Sequence, residues 1–160
     1  MNGEQVLKSK GIYLKNDLIG NVSSNIGYIK EFRWSWFATQ MNTFIIIGQT
    51  TNAINRANIE AFSMNCYNYA IKHNKGWPRG LQAAVASIAI LTGENIETPA
   101  IEFCEKLSKK HWAAFEIPVL YKGPGNKTYR FKTNPIWGTL YFPYFARLID
   151  SITNTFETTA

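Results

Sequence analysis

Apolar residues occur in short, dense runs along the chain, and most of these runs are bounded by glycine, proline or asparagine. The segment 28–36 alternates large aromatic residues with polar or charged ones, a period of two that predicts a β-strand with one face of rings. The apolar run 44–47 predicts a second strand that is buried on both faces. Residues 39–42 suit a connection, so we expect the two strands to form a hairpin.

Three segments in the middle of the chain are predicted to be helices, and a fourth lies near the carboxyl terminus. In 53–74, apolar residues recur at steps of three and four and therefore share one helix face. The segment 79–92 is apolar or small almost all round, so we expect it to be the most buried helix. Glutamates in 99–111 precede lysines by four residues, which is the favourable order on a surface helix. The last helix is expected at 143–156, with Pro143 in its first turn.

A second hairpin is predicted in the last third of the chain. The segments 115–121 and 127–132 both have strand character, and the glycine- and proline-containing stretch 123–126 between them is typical of a tight turn. Pro118 cannot donate a ladder hydrogen bond, so the first arm is expected at a sheet edge or at a bulge. The segment 136–142 is compatible with either a strand or a helical turn.

Clustered strands and clustered helices together indicate an α+β fold. We expect an antiparallel sheet of about four strands, made of two hairpins, with about four helices packed mainly on one face. Residues 1–27 contain four glycines and a polar tract, which predicts a mobile N-terminal arm with one short strand near 12–19. Residues 28–160 are then expected to form a single α+β domain.

The composition favours binding over catalysis. The chain has ten Phe, eight Tyr and five Trp, but only two His and two Cys, the residue types that supply most nucleophiles, bases and metal ligands. Aromatic side chains that exceed the capacity of the core are typical of protein interfaces. We therefore predict a non-enzymatic protein that binds a protein partner or forms a homo-oligomer, with no catalytic residues. An enzyme of unknown class is the last alternative, and a deep pocket containing His73 or His111 would favour it.

The spacing of cysteine and histidine argues against a metal site. Cys66 precedes His73 by seven residues, and Cys104 precedes His111 by seven. Seven helical residues span about 10.5 Å. Two ligands of one zinc ion must approach to within about 4 Å, so neither pair can chelate alone. We predict two buried thiols, no metal and no cofactor.

Net charge suggests nucleic acid as an alternative partner. The chain carries 17 Lys and Arg against 11 Asp and Glu, a formal net charge of +6. Basic residues alternate with rings in the hairpin 121–132, and they flank a tryptophan in the loop 72–79. The residues predicted to bind a partner are Trp77, Arg79, Lys122, Lys127, Arg130, Lys132 and Trp137.

No apolar run approaches the ~20 residues that a helix needs to cross a bilayer. The first residues also lack the apolar stretch of a signal peptide. We therefore expect a cytoplasmic protein without a membrane span.

Overall fold

The computed structural model describes residues 2–77, 79–80, 82–106, 111–123, 125–133 and 139–157. These residues form one mixed sheet of six strands, whose order in the sheet follows the order along the chain. The strands are β1 (Tyr13–Ile19), β2 (Val22–Arg33), β3 (Thr39–Gln49), β4 (Ala83–Gly93), β5 (Ala114–Lys122) and β6 (Lys127–Tyr129). The helices are α1 (Gly3–Ser9), α2 (Arg56–His73), α3 (Thr98–Lys106) and α4 (Phe142–Glu157).

The sheet combines antiparallel and parallel pairs. Strands β1, β2 and β3 form an antiparallel meander, and β5 and β6 form an antiparallel hairpin. The pairs β3–β4 and β4–β5 are parallel, with α2 and α3 as the connecting helices. The α+β class is therefore correct, but the expected antiparallel sheet of about four strands is wrong.

This error has one main source, the segment 79–92, which was expected to be a helix. Its apolar part is β4, the central parallel strand, in which nine consecutive residues from Ala83 to Leu91 are buried. A strand that is covered on both faces needs no alternation of polar and apolar residues, so its sequence has no period of two. A buried helix gives the same pattern, and periodicity alone cannot separate them.

The helices cover both faces of the sheet rather than one. Helices α1 and α4 belong to one core cluster, which includes Val6, Phe142 and Phe145. Helices α2 and α3 belong to the other, which includes Phe62 and Phe103. A sheet whose central strands are apolar on both sides needs cover on both, so the prediction of helices mainly on one face is wrong.

Residues 3–27, expected within a mobile arm, form α1, β1 and the start of β2. The side chains of Val6 and Leu7 are fully buried against the sheet. Asn2 caps α1, because its side chain accepts a hydrogen bond from the Gln5 amide while the Gln5 side chain accepts one from the Asn2 amide. The short strand predicted near 12–19 is confirmed as β1.

Several other elements agree with the sequence patterns. The hairpin of β2 and β3, helix α2, the hairpin of β5 and β6, and helix α4 are all confirmed. The first hairpin turns at 34–38 rather than at 39–42, because β3 already begins at Thr39. Helix α2 is capped by Asn55, whose side chain accepts from the Asn58 amide.

None of the helices in the part of the chain that the structure describes is long and apolar enough to cross a membrane.

Candidate functional site at the amino end of the sheet

Strands β3, β4 and β5 are parallel, so their first residues meet at one end of the sheet. The strand register places Gln40 beside Ala83 and Val85 beside Ala114. We call this the amino end of the sheet, and define it by the described residues of 34–38, 72–82, 111–116 and 139–141, together with Phe32. The opposite end, where these strands finish, is the carboxyl end.

Aromatic side chains are exposed at the amino end. Trp34 is 82% exposed, Phe37 80%, Trp112 72% and Trp77 52%. Phe32 is also exposed and lies edge-on to Trp34, with their ring centroids 5.3 Å apart. In the part of the chain that the structure describes, no aromatic ring outside the amino end is exposed.

The exposed rings arise where the strand pattern breaks. The alternation of rings from Phe32 through Trp34 to Trp36 predicts one shared face, but β2 ends at Arg33 and a 3₁₀ turn occupies Trp34–Trp36. Consequently Trp34 faces solvent while Trp36 is buried against Tyr144. The prediction that Phe32, Trp34 and Trp36 share one face is therefore wrong, because Trp34 is exposed while Trp36, two positions later, is buried.

A buried carboxylate lies behind the exposed rings. Glu116, the third residue of β5, has a side chain that is only 1% exposed. Its Oε1 accepts a hydrogen bond from Ser63 Oγ of α2 at 2.9 Å. Its Oε2 lies 2.8 Å from His111 Nε2. A charged group is costly to bury without partners, and these two contacts provide them.

His111 joins this buried pair to the surface. Its side chain is 24% exposed. The imidazole stacks on the Tyr67 ring, with centroids 4.1 Å apart and an interplanar angle of 17°. Arg79, a predicted binding residue, donates to Tyr67 Oη at 3.5 Å. The imidazole is therefore held by the Glu116 carboxylate at its Nε2 edge and by the Tyr67 ring on one face.

A cleft of about 340 Å³ opens beside His111. Its other walls include Gly80, Gln82, Trp112, Phe115 and Tyr141. The lining is largely apolar and aromatic, and its polar side chains are those of Thr39, Gln82, His111 and Tyr141. Pockets that bind small molecules are commonly lined by apolar and aromatic side chains with a few polar groups.

Strained backbone is concentrated around this cleft. Phe37, Ala38, Gln82 and Ala113 have φ values of 54°, 55°, 54° and 50°, in the left-handed region that side chains disfavour. Ala38, Gln82 and Ala113 directly precede the first residues of β3, β4 and β5, and Phe37 precedes Ala38. Left-handed residues other than glycine cost about 1–3 kcal/mol each and cluster at functional sites. This observation points to the amino end as the functional end of the sheet.

Gly80 places the Trp112 indole at the cleft. Its φ of 88° is readily adopted only by glycine, and a Cβ atom here would overlap the indole of Trp112. The close approach of the Gly80 backbone therefore sets the position of the Trp112 ring.

The predicted binding residues do not form one site. Trp77 and Arg79 belong to the amino end. Lys122 and Lys127 pair across the β5–β6 hairpin, near the carboxyl end of β5. Trp137 lies outside the described residues, as do the other residues of 136–138. The rest of the segment 136–142, whose structure the sequence left open, is a turn over 139–141 that leads into α4 at Phe142.

Two residues of the basic hairpin are engaged in ion pairs. Arg130 donates from Nε and Nη2 to the two carboxylate oxygens of Asp150, each at 2.9 Å. Lys132 Nζ lies 2.8 Å from a carboxylate oxygen of Glu105. These ion pairs reduce the positive charge that the hairpin offers to a phosphate backbone. Binding of nucleic acid through the hairpin stays a prediction.

The two thiols are buried, as expected. Cys66 of α2 and Cys104 of α3 are fully buried. Burial raises the pKa of the Cys66 thiol, and the nearby Glu116 carboxylate raises it further. Burial likewise raises the pKa of the Cys104 thiol. A thiol that stays protonated is a poor nucleophile, so neither is activated for chemistry. The described residues include no group of three or more His, Cys, Asp or Glu that could hold a metal ion.

The carboxyl end has a larger and more polar cavity, of about 750 Å³. Its wall includes Asn16, Asn25, Thr50 and Thr92. Much of this polarity is satisfied locally: Asn16 donates to Asn25 at 3.3 Å, and Thr92 donates to the Gly48 carbonyl at 3.1 Å.

Sequence reasoning missed the partnership of Glu116 with His111. A signal was present, because Glu116 is the one charged residue in the apolar stretch 114–121. Charged residues are almost never fully buried unless they are paired. The bond from Ser63 could not be read from the sequence, because Ser63 precedes Glu116 by 53 positions.

Comparison of the chain with known protein families, curated proteins and solved structures finds no match.

Proposed function

We propose that this protein acts by binding, and that a second copy of the chain docks on the exposed aromatic rings of the amino end. The observation that carries the proposal is the exposure of Trp34, Phe37 and Trp112 at one end of the sheet. The five exposed rings at this end present on the order of 600 Å² of aromatic surface, at about 200 Å² for a whole side chain. A standard interface buries about 800 Å² per partner, so these rings would form most of one.

Charge at the amino end is compatible with self-association. Lys72, Lys75 and Arg79 lie at this end and Arg33 lies directly beside it, and two like-charged surfaces repel. Cations are also attracted to the faces of aromatic rings, by about 0.5–1 kcal/mol at exposed sites. Within one copy the Arg33 guanidinium already lies over the Trp36 ring, 4.7 Å from its centroid. A surface that mixes cations with rings can therefore complement itself, and salt should strengthen the contact by screening the repulsion.

Sedimentation velocity over a range of protein concentrations tests this proposal. The wild-type chain should associate as its concentration rises, and more strongly at higher salt. The double variant Trp34→Ser/Phe37→Ser should remain a monomer, because it loses the two most exposed phenylalanine and tryptophan rings of the surface. Leu18→Ser is the matched control, since it removes an exposed apolar side chain from β1, away from the amino end.

A wild-type monomer at every concentration would contradict the proposal. Association that the double variant leaves unchanged would contradict it as well, because the contact would then lie elsewhere.

A second candidate, binding of single-stranded nucleic acid, is supported by the same mixture of rings and cations. Bases stack on exposed aromatic side chains, and Lys72, Lys75 and Arg79 could meet the phosphates. Fluorescence polarisation with labelled oligothymidine at several salt concentrations separates the two candidates. Nucleic acid binding must weaken steeply with salt, whereas the proposed self-association strengthens.

A further inference from the structure

We infer that the cavity at the carboxyl end of the sheet binds an uncharged, polyhydroxylated molecule of the sugar class. This site goes beyond the proposed self-association, because it lies at the opposite end of the sheet from the exposed rings. Three observations carry it: a cavity of about 750 Å³, a row of hydrogen-bonding side chains on one face of the sheet, and the absence of basic residues from the described part of the wall.

The cavity lies where the helices of one face leave the sheet uncovered. Helices α1 and α4 pack on the same face. The cavity wall includes Asn2 and Gly3, where α1 begins, and Phe156, in the last turn of α4. In open sheets of parallel strands, ligands bind outside the carboxyl ends of the strands. The volume also lies within the range of about 300–1,000 Å³ that is usual for small-molecule sites.

The parallel strands change from apolar to polar at this end, on the face that α1 and α4 cover. In β3, Ile47 is followed on this face by Gln49, and in β4, Ile90 is followed by Thr92. The register pairs Gln49 with Thr92 and Thr92 with Tyr121. Since paired residues point to the same face, these three side chains form one row across the parallel strands, and all three line the cavity.

The antiparallel strands continue the polar wall. Asn16 of β1 pairs with Asn25 of β2, and Asn25 pairs with Ile47 of β3, so both amides lie on the same face as the row. Asn16 donates to the Asn25 side-chain oxygen at 3.3 Å. The Asn25 Nδ2 makes no hydrogen bond within the residues that the structure describes, so it is available as a donor to a ligand.

Two exposed side chains of the wall are also available. Gln49 and Glu94 make no side-chain hydrogen bond or ion pair in the described ranges of the chain. The Gln49 amide both donates and accepts, and the Glu94 carboxylate accepts at each of its two oxygens. A hydroxyl group also donates and accepts, so a ligand with several neighbouring hydroxyls can satisfy all of these groups at once.

The charge of the wall disfavours an anionic ligand. Among the lining residues that the structure describes, none is Lys or Arg, so no side chain there would pair with a phosphate or a carboxylate. Of the two acidic residues, Glu4 is already paired with Lys8. The remaining carboxylate, Glu94, is exposed, and attraction between exposed opposite charges contributes little. The hydrogen-bonding groups therefore determine the class of ligand.

The apolar part of the wall suits the carbon skeleton of a sugar. Tyr121 and Phe156 stack with ring centroids 4.8 Å apart and an interplanar angle of 27°. Together with Ile47 they line one part of the cavity. A sugar ring has C–H groups as well as hydroxyls, so it can contact these side chains while its hydroxyls reach the polar wall.

Saturation-transfer NMR and calorimetry with neutral sugars test the site. The probes are glucose, galactose, N-acetylglucosamine, maltose and cellobiose, and at least one of them should bind at one saturable site with a Kd below about 10 mM. Three further probes each change one property: glucose 6-phosphate is anionic, glucosamine is cationic, and cyclohexanol has a similar ring with a single hydroxyl. Each should bind at least about threefold more weakly than the best neutral sugar.

A double variant assigns binding to the cavity. Gln49→Ala/Glu94→Ala removes two exposed groups that have no partner within the described residues, so it should fold like the wild type and bind the sugar at least about tenfold more weakly. Asn68→Ala/Glu97→Ala is the matched control, because it removes an exposed amide and an exposed carboxylate that do not line the cavity. The control should bind like the wild type.

The inference would be overturned if none of the neutral sugars bound saturably to the wild-type chain. Binding of a charged probe or of cyclohexanol as tight as that of the best neutral sugar would overturn it as well. So would equal affinities of the Gln49→Ala/Glu94→Ala variant and its control. Should the double variant fail to fold, Gln49→Ala compared with Asn68→Ala decides in the same way.

The two proposals can fail separately. The Trp34→Ser/Phe37→Ser variant keeps every residue of the carboxyl-end cavity, so it should bind the sugar like the wild type whether or not the chain self-associates. Conversely, Gln49→Ala/Glu94→Ala leaves the exposed rings in place and should self-associate like the wild type.

Discussion

The two ends of the sheet differ in how they use their polar groups and their backbone. At the carboxyl end, amides and hydroxyls surround a large cavity and bond to one another, as Asn16 does with Asn25. At the amino end, a buried carboxylate, exposed rings and four left-handed residues surround a smaller cleft. Parallel strands usually present ligands at their carboxyl ends. Here the exposed rings and the left-handed residues are concentrated at the other end, so cavity size and strained backbone point to different ends of this sheet.

The sharpest test of the amino end compares two tryptophans that are two positions apart. Trp36→Ala should cost about 4 kcal/mol of unfolding free energy, because it empties a buried site against Tyr144. Trp34→Ala should change the free energy by less than about 0.5 kcal/mol, because the Trp34 ring is exposed. Urea denaturation measures both. A large loss in Trp34→Ala would show that this ring is part of the core and is not free to bind.

The next test compares one glutamate from each end. Glu116→Ala should cost about 3 kcal/mol, because Ser63 and His111 lose their buried partner. Glu94→Ala, in the exposed wall of the carboxyl-end cavity, should change the unfolding free energy by less than about 0.5 kcal/mol. The same urea experiment applies. If both substitutions changed the unfolding free energy equally, the bonds of Glu116 with Ser63 and His111 would contribute nothing to stability.

Replacing a glycine at the carboxyl end should lower the unfolding free energy, whereas introducing a glycine at the amino end should raise it. Gly48→Ala should cost about 2 kcal/mol, because its Cβ would lie 2.7 Å from the Val22 side chain and 2.8 Å from the buried Phe62 ring. Ala38→Gly should stabilise the protein by about 0.5–1 kcal/mol, because glycine relieves the left-handed strain. Thermal unfolding of both variants checks the signs. If Ala38→Gly destabilised the protein, the left-handed backbone would no longer support the amino end as the functional end of the sheet.

The smallest effect concerns alkaline pH. Burial raises the pKa of Tyr144 from 10.0 to about 12. The folded state therefore holds the phenol proton that the unfolded chain releases first, so this stabilisation is complete below pH 10 and is lost as pH rises toward about 12. Between about pH 9 and pH 11, the urea midpoint of the Tyr144→Phe variant should fall less steeply with rising pH than that of the wild type. Identical slopes would contradict the burial of this hydroxyl.

Local patterns were sufficient for elements that have one apolar and one polar side, or a clear turn. Helix α2 was predicted from steps of three and four, and the β5–β6 hairpin from the glycines and proline of its turn. Strand β4 was not, because Ala83 to Leu91 is buried on both faces and its pattern suits a helix equally well. Without β4 as a strand, the parallel half of the sheet could not be inferred from the sequence. The amino end, where the parallel strands begin, could therefore not be inferred either.

The candidate site was also predictable only in part. The excess of aromatic residues was visible in the composition and predicted a binding surface, but among the predicted binding residues that the structure describes, only Trp77 and Arg79 lie at the amino end. The break of β2 at Arg33, which turns Trp34 outward and Trp36 inward, depends on the turn that leads into β3.

By itself, the sequence determined the α+β class, the buried thiols and the β2–β3 and β5–β6 hairpins, because each follows from residues that are close in the chain. Only the tertiary structure decided the parallel order of β3, β4 and β5 and the meeting of Ser63, His111 and Glu116. The bond from Ser63 of α2 to Glu116 of β5 joins residues 53 positions apart, and the parallel pairs join strands that are separated by whole helices. Periodicity reports which face of an element is buried, but it carries no information about which element lies against that face.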